Sequence, residues 1–274
     1  MPDIIFSTQD TASSTIFQQM MENFEFVEMD KKFEGNKIFV KDNIKLITTT
    51  KKLIYSEHLD VLNSDLLIFA SRHKSESGKP SLLAHCTGNW GDKAAFGGNP
   101  MELGMSRGSA IKTALIELKK QKKALGLDKF DVSMEVSHHG PTQLKTPLVF
   151  VELGSTQKEW KNQIGGLAVA RSIMKVAITK KEYKNYIGIG GPHYARKFNK
   201  LVMDAGKNIA ISHIIPKYML NYITEGIILE SIERSVEKVE KFIFDWKGMK
   251  SDQRKRAISI IESMNYEYQK AKSF

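Results

Sequence analysis

The order of apolar and polar positions divides the chain into short elements. "DIIFS" (residues 3–7) is a compact apolar run that predicts a buried strand, and "DTASSTIFQQMM" then opens a helix with Asp10 or Thr11 as its N-cap. "NKIFVKDNIKLITTT" (36–50) alternates on both sides of Asp42-Asn43, the pattern of a β-hairpin. "LLIFASRH" (66–73) is a continuous apolar run that ends in polar residues. From Ser109, Ile111, Leu115, Leu118 and Leu125 share one helical face, and Gly126 suits the position just past the helix end. "FDVSMEVS" (130–137) predicts a strand, and "PLVFVELGS" (147–155) a central one, too apolar for a half-exposed edge. Thr156 and Glu159 form a capping box before a helix carrying Trp160, Ile164 and Leu167. "NYIGIGG" (185–191) and "NIAISHII" (208–215) predict two more strands around a helical "HYARKFNKLVMDAG".

Two stretches break the rhythm. Residues 80–108 are rich in Gly, Asn and Pro without clear periodicity, which marks a long functional or mobile loop. From about Ser231 the chain is highly charged, with Ile232, Val236, Val239 and Ile243 as one helical stripe and Ile261, Met264 and Tyr268 as another. Strands alternating with helices predict a three-layer α/β protein with a mixed sheet, a small β-hairpin insertion near 36–50 and a helical C-terminal tail. The expected organisation is one α/β domain over 1–230, with 231–274 as a helical extension packed upon it.

Composition narrows the setting. No apolar run reaches the ~18 residues that would span a bilayer, and the start, "MPDIIFSTQD", lacks the features of a secretory signal. A single cysteine, Cys86, rules out an internal disulfide and points to a reducing cytoplasm. The net charge of +10 favours a polyanionic partner such as RNA, DNA or an anionic membrane.

The candidate chemistry collects at the ends of the expected strands. "LLIFAS" runs into His73, "VSMEVS" into His138-His139, "LVFV" into Glu152, "YIGIGG" into His193, "IAIS" into His213, and "IIFS" lies close to Asp10. In open α/β sheets ligands bind outside the carboxyl ends of the strands, so five of the seven histidines and two carboxylates should meet on one rim. Imidazole and carboxylate donors together suit a divalent metal, zinc above all. We take His138, His139 and Glu152 as candidate catalytic groups, and His73, His85, His193 and Asp10 as candidate metal ligands. Adjacent strand residues point to opposite faces, so His138 and His139 can share a site only if the chain turns at Gly140. The roles of Cys86 and His213 stay open, a buried structural thiol being the simpler reading of Cys86. "GIGGPHYARKF" brings glycines before Arg196 and Lys197, which makes Gly190, Gly191, Arg196 and Lys197 candidates for holding a phosphate or carboxylate ligand.

The segments "STQDTAS", "SRHKSESGKPSLLAHCTGNWG", "SHHGPT", "VFVELGSTQKEW" and "GIGGPHYARKF" resemble the signature segments of the archaeal- and plant-type D-aminoacyl-tRNA deacylases. The resemblance covers about residues 3–220 and leaves the tail beyond about 230 unmatched. It implies hydrolysis of the ester between a D-amino acid and tRNA, two zinc ions per chain and a phosphorylase/hydrolase-like fold. A monomer acting on D-aminoacyl-tRNA in the cytoplasm, away from membranes, is the expected state. On that reading Glu152 is general base or ligand, and His138 or His139 stabilises the oxyanion or protonates the leaving ribose oxygen. The loop from His85 to Gly108, with Trp90, Phe96 and Gly97-Gly98, is the candidate wall that reads chirality. The competing readings are a zinc amino- or carboxypeptidase-like hydrolase on the same fold, a nucleoside phosphorylase, and a non-catalytic RNA-binding protein. One cysteine argues against the thiolate-rich structural zinc that the last would use.

Overall fold

The computed structural model describes all residues, 1–274. Strand β1 (Pro2–Ser7) leads into helix α1 (Thr11–Asn23), whose N-cap is Asp10. Strands β2 (Val27–Phe33), β3 (Asn36–Lys41) and β4 (Ile44–Thr49) form an antiparallel meander that contains the expected hairpin. Strands β5 (Leu66–Lys74) and β6 (Ser81–His85) follow, and the glycine-rich stretch holds only the two-residue strands β7 (Gly88–Asn89) and β8 (Glu102–Leu103). Helix α2 (Gly108–Ala124), strands β9 (Asp131–Met134) and β10 (Leu148–Ser155), and helices α3 (Gln157–Trp160) and α4 (Gln163–Ile178) complete the first part. The capping box at Thr156 and Glu159 is present, but its helix ends after one turn, and Asn162 caps α4 afresh by accepting the Gly165 N–H. Strand β11 (Asn185–Ile189), helix α5 (Arg196–Val202), strand β12 (Ala210–Ile215), helix α6 (Glu225–Glu233), strand β13 (Val239–Phe244), helix α7 (Ser251–Ser263) and strand β14 (Tyr268–Lys270) form the rest.

The strands make two main sheets. The larger is mixed, in the order β2-β3-β4-β1-β5-β10-β6-β9, and the smaller is β12-β11-β13-β14. All pairs in the smaller sheet are parallel. Leu153 of β10 approaches Gly165 of α4, Thr15 of α1 approaches Gly166, and the Ser172 hydroxyl of α4 donates to the Ala114 carbonyl of α2. The three helices therefore lie side by side on one face of the larger sheet. The smaller sheet is buried on both faces. Ile211, Ile214 and Ile243 belong to the main core, whereas Ile187, Ile189, Phe242 and Phe244 pack with Ile227, Ile228 and Ile261 in a second core.

Two expectations change. The tail has its helix, α7, but the stretch assigned a helical stripe through Val239 and Ile243 is strand β13, paired in parallel with β11. The strand ends also do not form one rim. Strand β6 is antiparallel to β10, and β9 follows β6, so these two run against β5 and β10. Residues at the ends of such strands can meet only across the face of the sheet. No helix is long and apolar enough to cross a membrane.

Candidate active site and metal centre

Register brings the first group together. Gly154 of β10 pairs with His73 of β5, and Phe150 of β10 pairs with His85 of β6. Residues two apart on a strand share a face, so His73, Glu152 and His85 project to the same side. This is the face away from α4, which covers Leu153. Gly154 has to be glycine, because a Cβ there would lie 2.7 Å from the His73 Cβ. Glu135 follows the end of β9, beside β6, and joins the group. His73 Nδ1 lies 3.5 Å from Glu135 and 3.4 Å from Glu152, and His85 Nε2 lies 3.8 and 3.7 Å from the same two carboxylates.

The adjacent histidines enter by a backbone device. His139 has φ 47°, in the left-handed region that non-glycine residues rarely adopt. That rotation removes the strand alternation and lets both imidazoles turn toward His85, with ring centroids 4.3 Å (His138) and 5.0 Å (His139) away. Gly140 allows the turn, since any Cβ there would meet the Gly98 nitrogen at 2.3 Å. Three histidines of this group use Nδ1 in the same way: His85 on the Cys86 carbonyl at 3.0 Å, His138 on Val136 at 2.8 Å and His139 on Gly140 at 2.6 Å. A carbonyl only accepts, so Nδ1 carries the proton and donates in each. In the neutral ring each Nε2 is thereby left as a lone-pair donor, the arrangement in which backbone partners orient metal-binding imidazoles.

The opening lies at His193. Its side chain keeps 35% of its exposure, and Nε2 contacts Glu135 Oε1 at 2.8 Å while Nδ1 meets the Tyr218 hydroxyl at 3.3 Å. Beside it the Tyr194 hydroxyl contacts His73 Nε2 at 3.2 Å and donates to Ser75 at 3.1 Å.

Burial works against charge here, and neighbours decide where charge remains. Burial pushes the Glu152 carboxyl up, but His73 and His85 more than offset this and hold it well below the usual carboxylate range. Burial lowers His73 and His85, yet Glu152 and Glu135 raise both overall. His138 is pushed well down by burial and by His85, His139 and His193, and His139 falls to about 4 for related reasons. Two buried atoms, His85 Nε2 and Glu135 Oε2, have no hydrogen-bond partner. Orphaned buried polar atoms are costly unless something else binds them. The donors form three overlapping groups, His85/His138/His139, Glu135/His138/His193 and His73/Glu135/Glu152, each with its atoms within 4.8 Å of one another. Such imidazole and carboxylate donors can hold a divalent metal ion.

Six of the expected residues thus come together: His73, His85, His138, His139, Glu152 and His193. Asp10 does not join a donor group. Its two oxygens accept the N–H groups of Ser13 and Arg72, each at 3.0 Å, so it serves the start of α1 beside the site. Gly190 and Gly191 form no anion cradle, because their N–H groups already donate to the carbonyls of Ile215 (2.8 Å) and Gly248 (3.4 Å). Arg196 and Lys197 are exposed at the start of α5. His213 lies apart, and Cys86 is buried with its thiol pushed up to about 12 by burial. Trp90 is no wall residue: it sits in the second core and donates Nε1–H to the Ser137 carbonyl at 3.1 Å. Phe96 is 69% exposed, and its carbonyl accepts the Gly140 N–H. Glu135 escaped the sequence reading. Its signal was its place between Met134 and Val136 in an alternating strand, a polar position that reads as solvent-facing.

A family model described as D-aminoacyl-tRNA deacylase matches residues 61–269. Similar proteins named D-aminoacyl-tRNA deacylase include that of Pyrococcus furiosus, 36% identical over 97% of this chain and 98% of its own. That of Methanosarcina barkeri is 35% identical over 95% of this chain and 86% of its own. A crystal structure described as a conserved protein of unknown function superposes with a TM-score of 0.90 at 28% identity, covering 100% of this chain and 96% of that one. With a family match over most of its length and relatives above one-third identity from end to end, the chain belongs to the D-aminoacyl-tRNA deacylase family.

Proposed function

We propose that this protein hydrolyses the ester bond of D-aminoacyl-tRNA, releasing D-amino acid and tRNA, with zinc at the histidine–carboxylate cluster. The observation that carries this reading is the convergence of donor groups around the orphaned His85 Nε2 and Glu135 Oε2, in a chain of this family. His85, His138 and His139 would hold one ion through Nε2, and His73, Glu135 and Glu152 a second, with Glu135 and His138 also within reach of His193. When bound, such an ion lowers the pKa of water at the site and polarises an ester carbonyl.

The protein's own groups then divide the work. Glu152 shares a donor group with His73 and Glu135, all atoms within 4.8 Å of one another, which suits a ligand better than a general base. His138 and His139 have their N–H groups engaged with backbone carbonyls, so we assign them to the metal and not to the oxyanion. His193 reaches solvent and is tied to Glu135, so we assign it the proton transfer to the leaving ribose oxygen. Arg196 and Lys197 remain candidates for tRNA contact. A cytoplasmic location fits a single free cysteine and a tRNA substrate.

The test is metal analysis of the purified protein, with D-tyrosine release from D-tyrosyl-tRNA followed before and after chelation. Activity that disappears with the metal and returns with added zinc is the expected result. Full activity in metal-free protein would overturn the assignment.

A further inference from the structure

Between α2 and α5 lies a groove of about 910 Å³. Lys119, Lys120 and Lys123 of α2 form one wall and Lys200 of α5 stands on the other, with Met203 between them and Asp204 as the lone acid. We propose that this groove holds the phosphate backbone of the tRNA body, and that Arg196 and Lys197 carry the contact over α5 to the site mouth. This rests on reading the protein as a D-aminoacyl-tRNA deacylase.

Four observations support it. Lys119, Lys120, Lys123 and Lys200 are all exposed, and of these only Lys120 has an acidic partner, Glu117 at 3.7 Å. The helix dipole explains basic residues near the end of α2, but it disfavours Arg196 and Lys197 in the first turn of α5. Lys119 and Lys123, and Arg196 and Lys200, are like-charged pairs four residues apart, an arrangement that destabilises a helix unless an anion lies across it. The groove is also built to hold its shape. Lys112 is fully buried beneath it and donates to the carbonyls of Val202 and Asp204, each at 2.9 Å, which fixes the end of α5 to α2. Asp204 is partly engaged as well, accepting the Gly206 N–H at 3.0 Å.

Position completes the case. Helix α5 begins two residues after Tyr194, whose hydroxyl touches His73, and at ~1.5 Å rise per residue Arg196 and Lys200 are about 6 Å apart along it. Asn199 of the same helix accepts the Met134 N–H of the edge strand β9, one residue before Glu135. A strand of RNA held by α2 and α5 therefore runs along the sheet edge that ends at the cluster.

The experiment compares wild type with the triple variants Lys119→Glu/Lys123→Glu/Lys200→Glu and Lys119→Gln/Lys123→Gln/Lys200→Gln. Binding of uncharged tRNA is measured against salt, together with turnover of D-tyrosyl-tRNA and of D-tyrosyl-adenosine, which has the ester but no tRNA body. The expected result is weaker tRNA binding, with the slope of log affinity against log salt reduced by about one for each lysine lost. KM for D-tyrosyl-tRNA should rise about tenfold or more, while turnover of the small ester is unchanged. Unchanged affinity and salt slope in both variants would overturn the proposal, as would an equal fall on both substrates in both variants. Wild-type protein that binds tRNA but cleaves neither ester would instead refute the deacylase reading.

Discussion

His85 and His213 are both fully buried, and both belong to β-strands, yet their surroundings give them opposite characters. His213 has both ring nitrogens engaged, Nδ1 with the Ser137 hydroxyl at 3.0 Å and Nε2 with the Arg234 carbonyl at 3.3 Å. Burial pushes it to about 4, so it stays neutral and serves packing. His85 uses only Nδ1 on the backbone and turns an unpartnered Nε2 toward two carboxylates and two more imidazoles. Glu34 offers a looser contrast among the carboxylates: it lies exposed in the turn between β2 and β3, and its oxygens accept from Thr49 and Thr50 and contact His58. What separates a binding group from a structural one here is an unsatisfied atom, not residue type, burial or position in a strand.

The largest break in this comparison should come at His85. His85→Ala is expected to lose bound metal and to reduce deacylation of D-tyrosyl-tRNA about 100-fold or more, with metal analysis and turnover as readouts. Retained metal and full activity would remove His85 from the site. Glu135→Gln keeps the shape and the contact with His193 but removes the charge. Metal affinity should drop about 10–100-fold, as titrated with a competing chelator. His213→Ala should do the reverse, leaving metal content intact while costing about 1–3 kcal/mol in denaturant unfolding, because buried Ser137 and Arg234 groups lose their partner. Metal loss in that variant would show that His213 supports the site through Ser137.

The smallest effect concerns Glu34, whose oxygens are fully used. Burial raises its carboxyl, but Thr50, Thr49 and His58 together hold it down at about 2, against an ordinary 4.5. A depressed acid contributes stability that is present above its unfolded value and is lost as pH falls through its folded one. The stability gap between wild type and Glu34→Gln should therefore be constant above pH 4.5 and close between 4.5 and about 2, as followed by thermal unfolding. A gap that does not vary with pH would mean that the hydrogen-bond geometry, not the charge, matters there.

Much of this molecule was legible where local chemistry and pattern agree. The hairpin at β3–β4, the helix ending before Gly126 and the Thr156–Glu159 box all follow from short-range rules. Strand β13 was not legible, because Val236, Val239 and Ile243 satisfy helical spacing while "VEKFIF" also suits a strand buried on both faces. Only its pairing with β11 decides between them. Most of the cluster was found from histidines at strand ends, although the reason offered for it, a common rim, was wrong. Glu135 and the exclusion of His213 needed long-range register: one polar strand residue faces a cleft instead of water, and one histidine finds Ser137 and Arg234 far along the chain.

The Glu135–His193 contact joins the end of β9 to the loop after β11, and the Val136 N–H repeats the junction by donating to the His193 carbonyl at 3.0 Å. One partner follows a strand of the large sheet and the other a strand of the small one. An ion held between them would act as a clasp across the junction of the two sheets, and its binding energy would count toward keeping them closed. Stripping it should soften the seam before either core melts, so that hydrogen exchange quickens first at residues 190–195.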